Sequence, residues 1–260
     1  MDRLMGVDWA AHWRDLVEAR SAQAGGGSPH WGEGRARGFA FSTRGEPDPF
    51  VEFLEPWLKP SHTLLDVGAG IGRHVVPLAD RLDWVTAVEP AQAMRERIPA
   101  LDNLTLIGST WEDAEAAPAH LVICVSVLYS IADPVPFVEK LERHAQERVF
   151  VALRDSVQPH PAELMGGEPR IREPRLRDCY LLLREMGIKP DVTMYERAVS
   201  FRFESLEAAV EECRMRLGPI WDEHAGPAWL RSNLRPEPSG SLTYEGGPLA
   251  AGVLHWKPRS

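Results

Sequence analysis

Residues 63–79 read TLLDVGAGIGRHVVPLA. The apolar run 64–67 carries one acid, Asp66, and three glycines follow at alternate positions, Gly68, Gly70 and Gly72. A segment of helical period comes next. The pattern predicts a buried strand entering a tight glycine turn that opens a helix. Such a turn lets a ligand lie against backbone where any Cβ would block it.

Downstream of this stretch the rhythm is regular. Strand 64–67 leads to a helix at 71–81, and strand 84–88 (WVTAV) leads to a helix starting near Ala91. Strand 104–107 (LTLI) is followed by a polar link and strand 121–125 (LVICV), then a helix at 134–146 and a strand at 148–153. Near-continuous apolar strands joined by helices at this interval predict a parallel sheet covered on both faces. Connection handedness makes it a doubly wound α/β fold. Strand signals at 242–244 and 249–256 flank Glu245-Gly246-Gly247-Pro248, so an antiparallel C-terminal hairpin is expected to finish a mostly parallel, seven-stranded sheet. No internal repeat is visible.

The flanks are less regular. Asp8 is placed to cap a helix over 9–22, with Trp9, Trp13, Leu16, Val17 and Arg20 on one face, a stripe read as core. The glycine-punctuated residues 25–46 read as a loop or lid in which Trp31, Phe39 and Phe41 have something to bury, and a short helix follows at 49–57. After the proline-rich residues 155–174 come a helix at 176–186 and an extended segment at 191–203. A helix capped by Ser205 runs to about Leu217, and a tryptophan-containing segment follows at 219–234. The expected organisation is a helical N-terminal lid (1–57), an α/β core (58–197), a cap insertion (198–240) and a final strand that rejoins the core (241–260).

The 260 residues carry a formal net charge of −9. An acidic balance argues against nucleic acid as partner, because phosphate binding needs a clustered basic face. No apolar run approaches the ~20 residues that span a bilayer, and MDRLMGVDWA lacks the layout of a signal peptide. Three dispersed cysteines, Cys124, Cys179 and Cys213, read as reduced, buried thiols of a cytoplasmic protein. The nine histidines form no metal-ligand spacing, so no metal is expected.

Two ligand classes use a strand–glycine turn–helix. In the dinucleotide fingerprint G-x-G-x-x-G the third glycine would fall at Arg73, with Gly72 one residue early. Asp66 would also point toward pyrophosphate. The pattern D-x-G-x-G-x-G instead suits a ligand with no phosphates and a cationic centre, such as S-adenosylmethionine (SAM).

DVGAGIG resembles motif I of the class I SAM-dependent methyltransferases. Glu89, ending the second strand in TAVEPAQAM, is placed for a bidentate contact with both ribose hydroxyls. The resemblance implies that Pro90 and Met94 cover the adenine and that Gly108-Ser109-Thr110-Trp111-Glu112-Asp113 borders its edge. LVICVSVLYSIAD is similar to the motif IV region of enzymes acting on small molecules. The implied cofactor residues are Asp66, Gly68, Ala69, Gly70, Glu89, Pro90, Met94, Thr110, Trp111 and Val125, with Arg44 or Arg37 reaching the cofactor carboxylate. The chain departs from its relatives twice: Ser109 stands where many carry an aspartate, and Ser126 where a histidine is often found.

The resemblance implies methyl transfer to a small-molecule acceptor by in-line displacement, leaving S-adenosylhomocysteine. Candidate general bases at the carboxyl ends of the strands are Tyr129, Asp155 and His160. A SAM-binding protein without methyl transfer, a sensor or assembly partner, is the alternative. A nicotinamide oxidoreductase is disfavoured by Arg73. A nucleic-acid methyltransferase is disfavoured by charge, and Asp133-Pro134-Val135-Pro136 lacks the aromatic of the DPPY motif.

Overall fold

The computed structural model describes residues 6–23, 31–45, 48–156, 159–166 and 171–259. The expected glycine-rich segment 25–30 and residues 46–47 lie outside them.

Helices α1 (Trp9–Gln23), α2 (Glu33–Ser42) and α3 (Pro49–Leu54) precede the sheet. The alternation then runs β1 (Thr63–Val67), α4 (Val75–Ala79), β2 (Trp84–Val88), α5 (Gln92–Arg95), β3 (Leu104–Ile107), β4 (Ala119–Val125), α6 (Pro134–His144) and β5 (Ala145–Arg154). It continues through α7 (Pro161–Met165), α8 (Leu176–Glu185), β6 (Asp191–Phe203), α9 (Leu206–Leu217), α10 (Ala225–Asn233), β7 (Arg235–Pro236) and β8 (Leu242–Trp256). The strand order is β3-β2-β1-β4-β5-β8-β6, with the short β7 paired to β8 off this path. The first five strands are parallel, and β8 is antiparallel to both its neighbours.

Alternation along β1 sorts its side chains between two buried layers. Leu65 and Val67 face Trp13, Val138, Leu141, Leu182 and Leu183, the layer of α1, α6 and α8. Leu64 faces Phe50, Leu54, Val75 and Leu78, the layer of α3 and α4, and Asp66 shares that side. Hence α1 is a core element, as its tryptophan stripe implied. Asp8 Oδ1 accepts from Ala11 N at 2.9 Å, Glu185 takes the Trp9 and Ala10 amides, and Trp13 Nε1 donates to Ile131 O at 2.9 Å.

Three expectations are corrected. Within the segment read as a loop, residues 33–42 form α2. The helix expected over 71–81 is confined to α4, because Gly70 and Gly72 hold φ of 57° and 80°, which a right-handed helix cannot use. The glycines at 245–248 do not reverse the chain. β8 runs through them, and the register shift opposite Val199 and Ser200 marks a bulge, with Gly247 at φ 87°. The strand that pairs with β8 along almost its whole length is therefore β6, which also runs unbroken across the expected 197/198 boundary.

The β6–β8 pair outlasts β5, whose last partner is Ala251. Its free portion projects at the carboxyl end of the parallel strands. There it carries α9 and α10 around a separate apolar cluster of Ala162, Phe203, Ala209, Cys213, Leu217, Leu230 and Leu234. α2 lies on this arm, with Arg202 N donating to Ser42 Oγ at 3.3 Å.

Candidate cofactor and active site

The glycine turn is built from backbone. Gly68 N and Ala69 N both donate to Val88 O, at 2.8 and 3.0 Å, which ties the end of β1 to the end of β2. Gly68 has φ 81°, and a Cβ there would stand 2.2 Å from Val127 Cγ2, so only glycine is accommodated. Asp66 beneath this turn is fully buried, and neither carboxylate oxygen has a hydrogen-bond partner among the described residues. Burial pushes its carboxyl up to about 6, with the nearby His74 charge opposing the rise and Glu89 adding to it.

Glu89 sits at the tip of β2, buried. One oxygen accepts from Gly70 N at 2.9 Å and the other from Ala91 N at 2.9 Å. The acid thus props the turn, while lone pairs on both oxygens remain for a further donor. Met94 is buried with its Cε 3.5 Å from where a Cβ of Gly70 would stand. Arg95 donates to Glu89 O and Pro90 O at 2.7 and 2.6 Å and lies flat over Gly108. The structure therefore gathers Asp66, Gly68, Ala69, Gly70, Glu89, Pro90 and Met94 at one place. Ser109 Oγ, beside them on the next strand tip, is buried with no hydrogen-bond partner among the described residues.

The other four expected cofactor residues have different surroundings. Thr110 is exposed and donates to Asp113 Oδ2 at 3.0 Å within its own turn. Trp111 is a core residue rather than an adenine border. It is buried against Phe137 and His144, donates to Phe137 O at 3.3 Å, and is covered by Lys140. Val125 ends β4 and packs on the α3 and α4 layer. Arg44, past the end of α2, lines a cleft of about 780 Å³ together with Arg37, Phe41, Asp48, Val51 and Arg73.

The three candidate bases fare differently. Tyr129 lies just past β4, where its hydroxyl accepts from Arg154 N and its ring faces the Arg154 guanidinium. Burial raises its pKa, with Arg154 opposing, which favours the neutral hydroxyl. Asp155 is engaged by Arg177 at 2.9 and 2.6 Å, and this hydrogen bonding holds its carboxyl below the usual range. His160 belongs to the cap: Nδ1 accepts from Ala162 N at 3.1 Å, Nε2 faces Glu212 at 3.2 Å, and Phe201 packs edge-on against the ring. Burial lowers its pKa, against the pull of Glu212. Neighbouring Ser126 holds φ 60° at the end of β4, a left-handed conformation that costs a non-glycine residue about 1–3 kcal/mol and is typical of functional loops.

Two residues that sequence reasoning passed over also reach the site. His74 follows the glycine turn directly and is nearly buried, with Nδ1 at 3.9 Å from Asp66 Oδ2. Asp48 caps α3 and faces His74 Nε2 at 3.2 Å. The Asp48-Pro49 pair signals the cap, but nothing local announces its reach to His74.

Residues 39–186, more than half of the chain, match the family model described as a methyltransferase domain. No curated protein matches the sequence. Among solved structures, a putative methyltransferase from Bacillus halodurans aligns at TM-score 0.54 and 13% identity, covering 82% of this chain and 100% of that one. A putative methyltransferase from an antibiotic biosynthesis pathway of Anabaena variabilis aligns at TM-score 0.51 and 16% identity, covering 82% and 99%. A SAM-dependent methyltransferase from Thiobacillus denitrificans, in complex with S-adenosyl-L-homocysteine, aligns at TM-score 0.50 and 13% identity, covering 85% and 98%. At these identities the likeness is one of fold.

Proposed function

The chain belongs to the methyltransferase-domain family, and from that membership we propose that it transfers the methyl group of SAM to a small-molecule acceptor. The observation that carries the reading is Asp66, a buried carboxylate whose two oxygens have no hydrogen-bond partner among the described residues, beneath a turn that only glycine can make. Such an acid calls for a cationic hydrogen-bond donor brought in by a ligand. The ammonium of SAM is one, and the remaining lone pairs of Glu89 suit the ribose hydroxyls. The orphaned Ser109 Oγ suits a polar edge of the same ligand. When bound, SAM supplies a methyl already activated on a sulfonium.

The residues of the chain then have to hold and orient, and to exclude water. Asp66 fixes the amino-acid end, and Glu89 fixes the ribose while bracing the turn through Gly70. Tyr129, with its oxygen taken up by Arg154 N, keeps its hydroxyl proton and offers it to an acceptor as a donor. Asp155 and His160 are committed to Arg177 and to the cap, so positioning carries the rate and general-base catalysis is secondary. In this reading the cofactor lies at the tips of β1 and β2, and α2 with the cap helices α9 and α10 roofs it and shapes the acceptor space. The acidic chain favours a small molecule over nucleic acid. Three buried free thiols, and no described helix long and apolar enough to cross a membrane, accord with a cytoplasmic site of action.

The family match favours methyl transfer over a purely SAM-binding role. The test is turnover with methyl-labelled SAM and a low-mass metabolite fraction. Label should enter a small molecule with the native chain and not with Asp66→Ala. Saturable SAM binding with no transfer, or label entering only nucleic acid or protein, would overturn the proposal.

A further inference from the structure

The least expected feature of the site is a chain of three side chains running from the N-terminal segment into it. Asp48 Oδ1 caps α3 by accepting from Phe50 N at 3.0 Å. Its other oxygen, Oδ2, faces two groups from the glycine turn, Arg73 Nε at 2.8 Å and His74 Nε2 at 3.2 Å. The opposite nitrogen of His74, Nδ1, stands 3.9 Å from Asp66 Oδ2. Phe50 packs edge-on against the imidazole, with ring centroids 5.3 Å apart, and keeps it from turning away. An imidazole whose two nitrogens face two carboxylates has its ring orientation set by the nearer one and delivers its effect to the farther one.

We propose that Asp48 and His74 are positioning residues for Asp66, with Asp48 holding the imidazole and the imidazole keeping Asp66 ionised and in place for the ammonium of SAM. This rests on the cofactor reading above and adds to it the residues that tune its central acid. The charge environment agrees. Burial works against the Asp48 anion, but His74, Arg73 and the Phe50 amide outweigh it and hold its carboxyl at about 2, so the anchor is always charged. Facing Asp66 are His74 from the turn, Glu89 from β2 and Cys124 from β4. Of these only His74 can contribute a positive charge, and it opposes the rise that burial imposes on Asp66. Asp48 also belongs to the segment that walls the cleft, so the placement of α3 is felt at Asp66 through two contacts.

The test is the pH dependence of S-adenosylhomocysteine affinity between pH 5.5 and 8.5, measured by titration calorimetry on the full chain. In the native protein affinity should fall as pH drops through about 6, where Asp66 takes up a proton. In His74→Gln that midpoint should move upward by about half to one pH unit, so that the pH 8 to pH 6 affinity ratio grows by about two- to fivefold. Asp48→Asn should shift it in the same direction by less. A packing role alone would lower affinity equally at every pH, and parallel profiles for native and His74→Gln protein would overturn the proposal. If His74→Gln does not fold, Asp48→Asn decides alone by the same criterion. Failure of the native chain to bind at any pH would refute the cofactor reading itself, and the inference with it.

Discussion

The tip of the β1–β2 pair and the cap above it are held by opposite means. At the strand tips almost every tie involves backbone: two amides on Val88 O, Glu89 on two further amides, and a turn with no room for a Cβ at Gly68. The cap instead has its own apolar cluster, mounted on a two-stranded arm and pinned by side-chain pairs such as His160–Glu212 and Arg214–Glu223. A backbone cradle constrains geometry and tolerates few side chains. A separately packed cap can be reshaped without disturbing it. Under the proposed function, donor recognition would fall to the rigid part of the molecule and acceptor choice to the adaptable part.

The comparison can be broken most forcefully at Gly68. Gly68→Ala combines a φ of 81° with a 2.2 Å clash on Val127 and should cost about 3–5 kcal/mol in urea unfolding. Adding Val127→Ala should recover part of that loss by removing the clash and leaving the backbone strain. Leu230→Ala, in the cap cluster, should cost about 2–4 kcal/mol of cap stability. If the cap is separate, this variant should keep S-adenosylhomocysteine affinity within about a few-fold.

Asp66→Asn should have a smaller effect, and one of opposite sign. The folded-state carboxyl titrates at about 6, above its ordinary 3.8, so the proton is held more tightly in the folded chain. Its contribution to stability is present below pH 3.8 and lost as pH rises through 6. At pH 8 the ligand-free variant should therefore be more stable than the native chain by up to about 3 kcal/mol, with no gain at pH 3.5, as read from denaturant midpoints. A stabilised variant that no longer binds cofactor would identify Asp66 as an acid retained at the expense of stability. Asp155→Asn should have the smallest effect. It loses an Arg177 pair whose cation is largely exposed, so the cost should be at most about 1 kcal/mol, with SAM affinity unaltered.

How much of this was legible in the sequence depends on how local the deciding contacts are. The strand–turn–strand unit around Asp66 and Glu89 could be read directly because period, glycine spacing and acid lie within thirty residues. Helix α2 was not legible because Gly34 and Gly38 read as loop. In the fold these glycines let α9 approach closely: a Cβ at Gly38 would stand 2.9 Å from the Glu212 carboxylate, and one at Gly34 3.5 Å from Met215. Gly246-Gly247 has the same composition in a bulge as in a turn, and only the pairing of β8 with β6 distinguishes them. Trp111 falls where the family resemblance implied adenine, but the helix α6 that buries it lies over twenty residues downstream. Asp48 and His74 are brought together only when α3 docks on the glycine turn, a tertiary event with no local signature.

Asp66 is the acid proposed to receive the cofactor's ammonium, and titration calorimetry with S-adenosylhomocysteine at pH 8 tests that role directly. The native chain should bind saturably, and Asp66→Asn, folded and at least as stable, should lose affinity by about a hundredfold, the weight of a charge-assisted contact to a buried group. Equal affinity in the two proteins would contradict the account.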